Sequence, residues 1–295
     1  MTGGGARSGT PDGLARPIGL GPRSVTALAL ISAIGAVALS WPLFADTRAA
    51  PSAASAGASW LFAALLPLLI GVVVATIADT GLEAKAVAML GVLAAAGAAL
   101  RPLGGGTAGL EPMFFLMVLS GRVLGPGFGF VLGAVSMFAS ALLTGGVGPW
   151  LPYQMLSMGW VAMGAGLLPR PATLRGRPER WLLAVYGAVA SLLYGTAMNL
   201  QGWTLYNRGL PPALAFEPGA PLADNLSHFT AYVLATSLGW DLPRAVLTVA
   251  LTLTLGGSIL TALRRATRRA AFDAPAAFRD AADGAQAPAG RGGAA

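Results

Sequence analysis

Long apolar runs dominate this chain and dictate the solvent in which it can fold. Eight of them follow one another: Ser24–Ala45, Ser59–Ala78, Ala84–Leu100, Pro112–Leu124, Phe128–Leu143, Leu151–Leu168, Trp181–Leu200 and Leu242–Leu263. A helix needs about 20 apolar residues to cross a bilayer, so most runs suffice and the fourth and fifth fall at or below the limit. Those two read as a broken helical hairpin inside the protein, where irregular backbone is tolerated. A ninth stretch, Leu226–Leu238, is too short to span and reads as a partly inserted or surface-lying helix. Only 11% of residues are charged, against about 25% in soluble domains. The fold class expected is therefore an all-α polytopic membrane protein. Its divisions are a disordered tail over 1–22, two helices over 23–80, a six-helix domain over 81–270 and a second disordered tail over 271–295.

The formal charge of +7 would suit a nucleic-acid binder if it were gathered on one solvated face, but the basic residues lie between apolar runs. Their positions carry topology instead. With eight spans and the N-terminus inside, fifteen of the nineteen Lys and Arg fall on the inner side, leaving Arg48, Arg101, Arg208 and Arg244 outside. The positive-inside rule then places both termini in the cytoplasm, with attraction to the lipid bilayer expected as well. The first run is too long for the h-region of a signal peptide and is expected to stay attached.

Several chemistries are missing. Zero cysteines excludes disulfides, thiolate metal sites and a cysteine nucleophile, and a single histidine excludes a His-rich metal cage. No phosphate-binding loop of the Gly-x-x-x-x-Gly-Lys-Ser/Thr type and no Gly-x-Ser-x-Gly elbow occurs. Gly125-Pro126-Gly127-Phe128-Gly129 lacks the third glycine of a dinucleotide loop and reads as a tight turn between packed helices. Asp46, Asp79, Glu83, Glu111 and Asp241 all fall at the ends of runs, which counts against an ion-coupled carrier. No metal, cofactor or catalytic residue is expected. An intramembrane enzyme built on His228 with Asp224 or Asp241, and a membrane assembly protein, stand as the other classes.

The segments that face outward in this topology are 101–111, 144–154 and the long 201–241. Loops longer than about 12–15 residues in compact domains tend to be functional or disordered, and the last one keeps aromatics and a short apolar helix. Trp150, Tyr153, Gln154, Asn199, Gln201, Trp203, Tyr206, Asn225, His228 and Tyr232 are the candidate substrate-binding residues. Aromatic walls with amide groups and little fixed charge suit a neutral or zwitterionic organic molecule. For the tryptophans and Tyr153, an interfacial aromatic belt is the plainer alternative. For Asn199 and Gln201, that alternative is interhelical hydrogen bonding.

The stretch from Glu111-Pro-Met-Phe-Phe-Leu-Met to Val123-Leu-Gly-Pro-Gly-Phe-Gly-Phe-Val-Leu-Gly133 resembles the second and third helices of the substrate-binding S-component of energy-coupling factor transporters, the bacterial vitamin importers of the ABC class. The helix from Ala86 to Arg101 is similar to that family's first, and the one from Leu242 to Arg264-Arg265 to its last. The likeness spans roughly Glu83–Ala270 and leaves the Ser24–Ala78 pair as an addition. It implies a non-enzymatic subunit in the bacterial plasma membrane that captures a vitamin at the outer face. A transmembrane coupling subunit and two ATP-binding subunits, its implied partners, would drive uptake. It also implies a small-residue docking patch on the first helix: Gly91, Ala94, Ala95 and Ala98 fit, as do Ala84/Ala88, Ala95/Ala99 and Ala29/Ala33. Cobalamin or a related corrinoid is the favoured substrate, by the length of the outer segment and the Gly145-Val-Gly-Pro-Trp-Leu-Pro-Tyr-Gln154 stretch, which resembles that of actinobacterial cobalamin-type members; thiamine or its precursor is the alternative.

Overall fold

The computed structural model describes residues 22–44, 66–75, 84–104, 109–169, 174–204, 207 and 209–270. Both tails and most of the second apolar run lie outside the described residues, as do 105–108. Every regular element among the described residues is helical. In order they are α1 (Pro22–Phe44), α2 (Leu66–Ala75), α3 (Ala84–Leu103), α4 (Met113–Leu124), α5 (Pro126–Thr144), α6 (Leu151–Leu167), α7 (Arg177–Trp203), α8 (Leu222–Thr236), α9 (Leu238–Thr254) and α10 (Gly256–Ala270). A single 3-10 turn, Pro212–Leu214, lies between α7 and α8.

Four of these helices, in α1, α3, α5 and α7, are long and apolar enough to cross a membrane, and α9 with α10 makes a fifth if the bent pair counts as one span. Their surfaces agree with a lipid solvent. Leu30 and Val37 on α1, Val92 on α3, and Val185 and Leu193 on α7 are all exposed. So much uncovered apolar side chain is not tolerated in water.

The centre of the bundle is α4. It is apolar apart from Ser120 and Arg122, and all 12 of its residues are buried. At 1.5 Å per residue it is about 18 Å long, too short to span alone. Around it α3, α5 and α7 run toward the Glu111 end, and α6 and α9 run the same way as α4, away from it. Gly125, at φ 100°, makes the whole connection between α4 and α5, a backbone conformation that glycine adopts without strain. The tight turn expected at Gly125-Pro126 is thus present, with Gly166 of α6 packed against it.

Close approach through glycine sets the packing of α4 and α5 on α6. A Cβ on Gly121 would run into the backbone of Ala162, and one on Gly133 into that of Met158. This is the small-residue contact that membrane helices use where no hydrophobic effect drives them together. α1 lies along α6 in the opposite direction: Trp160 Nε1 donates to Ser32 Oγ at 2.9 Å, Gly35 faces Leu156, and Ala38 and Leu39 pack on Tyr153. Leu69 and Val73 of α2 join the same core.

The last apolar run, expected as one helix over 242–263, is instead two helices bent by 67° at Leu255. The Gly256-Gly257 pair removes the side chains that would stiffen the turn. The break leaves Leu253 O to accept a bond from Arg180 Nη1 at 3.0 Å. Leu260 and Leu263 fix the new direction of α10 by burying against the core around α4.

Gly121→Ala should therefore cost about 1–3 kcal/mol through forced separation of α4 from α6, seen as a fall of several degrees in the Tm of the purified protein. Gly91→Ala, with open space around its Cβ, should leave Tm unchanged.

Candidate functional site at the Glu111 end of the bundle

Two clusters of charge, one at each end of α4, divide the molecule into two chemically distinct ends. At the C-terminal end Arg122 Nε donates to Glu179 Oε1 at 2.8 Å, and its Nη1 donates to the carbonyls of Leu168 and Pro169. Arg264 reaches the same carboxylate, with Nη2 at 2.6 and 2.8 Å from its two oxygens. One carboxylate at the start of α7 thereby ties α4, α6 and α10 together.

At the opposite end Arg244 of α9 is the hub. Its Nε donates to Glu111 Oε2 at 2.9 Å and its Nη1 to Asp241 Oδ1 at 2.6 Å, with a longer contact to Ser191 O. The guanidinium sits 5.2 Å from the Phe114 ring centre and 5.3 Å from that of Tyr194, and the two rings meet edge to face. Attraction between the cation and both ring faces adds to the ion pairs. Asp241 also accepts from Ser237 Oγ at 2.6 Å. Its carboxylate lies flat on Gly195 of α7, where a Cβ would collide with it.

A cavity of about 360 Å³ opens beside this hub, lined by Arg101, Pro102, Gly104, Gly109, Leu110, Glu111, Thr144 and Trp240. The short 109–111 segment closes one wall, because Gly109 rests on the Trp240 carbonyl. Glu111 is the link between the two features. One carboxylate oxygen is held by Arg244, while the side chain keeps 25% of its surface exposed toward the opening. Arg101 and the half-exposed Trp240 ring complete a wall of one anion, one cation and an aromatic face.

The ten residues singled out from sequence divide by what they touch. Trp203 is wholly buried, packed against Phe216, Phe229 and Tyr232, and its Nε1 donates to Leu214 O at 2.8 Å. Asn225 pairs with the backbone N–H and C=O of Glu217 at 2.9 and 2.8 Å, and the unremarked Asn207 does the same for Phe216. His228 Nδ1 lies 3.0 Å from Ala215 O. Four polar side chains thus occupy the backbone of 214–217, so Trp203, Asn225, His228 and Tyr232 build a cap. Asp241 is taken up by Arg244 and Ser237 and is not paired with His228, one of the two pairings that the enzyme reading allowed.

Trp150 is exposed at the start of α6 and donates to Gly146 O at 3.1 Å. Tyr153 is buried beneath α1, and Gln201 is half-buried in the last turn of α7. Tyr206 lies outside the described residues. Gln154 Oε1 and Asn199 Nδ2 are buried without a hydrogen-bonding partner. A cavity of about 180 Å³ opens between the same two helices, α6 and α7, lined in part by Ser157 and Ala197, one turn from Gln154 and two residues from Asn199 in sequence. Of the four docking residues, Ala94 and Ala98 face the core, whereas Gly91 and Ala95 lie on the outer surface with Ala88, Val92 and Ala99.

Sequence reasoning missed the hub. Arg244 and Asp241 stand three apart on one helix, a spacing that brings opposite charges together, and ionisable groups beside an apolar run signal a partner. That signal was available. The partner Glu111, 133 positions away, was not.

Removing Arg244 leaves two carboxylates unpaired in a buried place, a change that costs about 3–5 kcal/mol. Arg244→Gln should therefore unfold many degrees lower than the parent. Arg244→Gln combined with Asp241→Asn should regain part of the loss, since one orphaned charge is gone.

No group of His, Cys, Asp or Glu among the described residues could hold a metal ion. No curated protein and no solved structure matches the chain. Residues 85–256, more than half of it, match the sequence model of the family described as ECF transporter, substrate-specific component, and the chain belongs to that family.

Proposed function

We propose that this chain is the membrane subunit that captures a vitamin for an energy-coupling factor importer, and that it does so at the Glu111 end of the bundle. Family membership supports the class, and the 360 Å³ cavity against Glu111, Arg101 and Trp240 carries the location. In this reading the Glu111 end faces outward and the Arg122 end the cytoplasm. The basic residues gathered at the Arg122 end support that orientation. The coupling subunit and two ATP-binding subunits supply the energy.

The cavity volume bears on the substrate. Ligand pockets run from about 300 to 1,000 Å³, so 360 Å³ is near the lower bound. A corrinoid, the substrate favoured from sequence, is too large for the cavity as it stands. A molecule of the size of thiamine fits the cavity as it stands. The walls agree with the smaller choice: a carboxylate beside an aromatic face suits a cationic or zwitterionic ring compound. Gln154 and Asn199 offer an acceptor and a donor to a ligand that reaches deeper between α6 and α7.

On α3 the outward stripe of Ala88, Gly91, Val92, Ala95 and Ala99 is the docking face in this reading, because small residues let a partner helix approach closely. Ala94 and Ala98 contribute from inside by keeping α3 close to the core.

Purified protein should bind thiamine or its pyrimidine precursor with a Kd of 1 μM or below, roughly, the range of specific capture. Glu111→Gln and Trp240→Ala should each weaken that binding at least about tenfold, a loss of about 1.4 kcal/mol. Tight binding of cobalamin with none of thiamine would replace the small substrate by the corrinoid. Gly91→Leu should keep ligand binding and lose co-purification with the coupling subunit.

A further inference from the structure

A second cavity, of about 660 Å³, lies at the Arg122 end where α9 breaks into α10. Substrate capture at the other end makes no use of it. Its walls carry three guanidinium groups, from Arg180 on α7 and from Arg264 and Arg265 on α10, together with the Ser258 hydroxyl.

The wall holds one carboxylate, Glu179, and that group is already spent. Both oxygens are engaged by Arg264, and one is shared with Arg122. Arg180 gives one N–H to Leu253 O and lies along Gly256 and Gly257, its Nη1 3.8 Å from where a Cβ on Gly257 would stand. Its remaining donors border the cavity. Arg265 is exposed at its rim. Three guanidiniums against one carboxylate leave a concave surface with excess positive charge and a fan of N–H donors. That pattern fits a tetrahedral oxyanion, whose oxygens accept several forked bonds at once.

Geometry suggests where such an anion comes from. α10 turns 67° away from α9 and lays Leu260 and Leu263 into the core, so it crosses the end of the bundle and does not extend a span. Its outer side carries Arg265 and Arg268. Basic pockets between membrane helices on the positively charged side recognise phospholipid headgroups. We propose that this cavity binds the phosphate of an anionic phospholipid, which pins the α9–α10 elbow to the bilayer surface. This inference is independent of which vitamin is captured.

The test uses the full chain in detergent, with native mass spectrometry to count retained lipid and Tm as a second readout. Phosphatidylglycerol should be retained and should raise Tm where phosphatidylcholine does neither. Arg265→Gln should weaken retention about fivefold, and Arg180→Gln with Arg265→Gln by about fivefold more, at about 1 kcal/mol for each guanidinium. Ser258→Glu, at an exposed position, should abolish retention without disturbing the fold. Arg268→Gln, on the same helix but outside the cavity, should change nothing. Equal retention of the two lipids would overturn the proposal. So would an equal loss in Arg268→Gln and Arg265→Gln, which would show diffuse surface charge. Displacement of the lipid by millimolar inorganic phosphate would assign the cavity to a soluble phosphate instead.

Discussion

The ion pairs that bracket α4 are the constraint on which the rest of the bundle depends. A 12-residue helix buried on all sides is too short to reach both membrane surfaces with its own backbone. Arg122 at one end and Glu111 just before the other reach across to helices that can. Glu179 and Arg264 receive the first, Arg244 and Asp241 the second. Charges removed from water gain little net stability even when well paired, but each is expensive to leave alone. Their effect is to fix register. A slide of α4 by one turn, about 5.4 Å, would break both clusters at once.

Glycine supplies the complementary half of the design. Gly121 and Gly133 let α4 and α5 lie against the backbone of α6, and Gly195 lets the Asp241 carboxylate touch α7. The buried charges at the Glu111 end exist in that geometry because a missing Cβ makes room for them. Function follows from this division of labour. A rigid centre holds Glu111 with one oxygen fixed and the other side of the carboxylate facing a cavity, while the outer cap forms a separate aromatic cluster around Trp203.

Much of the fold was legible from hydropathy because a membrane helix announces itself by length alone. The runs at Ala84–Leu100, Phe128–Leu143 and Trp181–Leu200 appear as α3, α5 and α7, and the short 226–238 stretch appears as α8. The bend at Leu255 escaped because it lies inside one continuous apolar run, where hydropathy does not register the Gly256-Gly257 pair. The site was less legible. Aromatic and amide residues in a long loop fit both ligand contact and loop closure, and Trp203, Asn225 and His228 spend their polar atoms on the 214–217 backbone. Glu111 and Arg101, which line the cavity, looked from sequence like ordinary flanks of a flexible loop. Their significance depends on Arg244 and Trp240, brought close only by the antiparallel path of the chain.

The central claim is that substrate is captured at the Glu111 end, facing outward. The chain has no cysteine, so single introduced thiols report without background. Labelling of Trp240→Cys by a membrane-impermeant maleimide in intact cells is the most direct measurement, with Ser258→Cys as the opposite-end reference. With capture at that end, Trp240→Cys should react from outside and be protected by substrate, while Ser258→Cys should react only after the membrane is permeabilised. Reaction of Ser258→Cys from outside, or labelling of Trp240→Cys that substrate leaves unchanged, would contradict it.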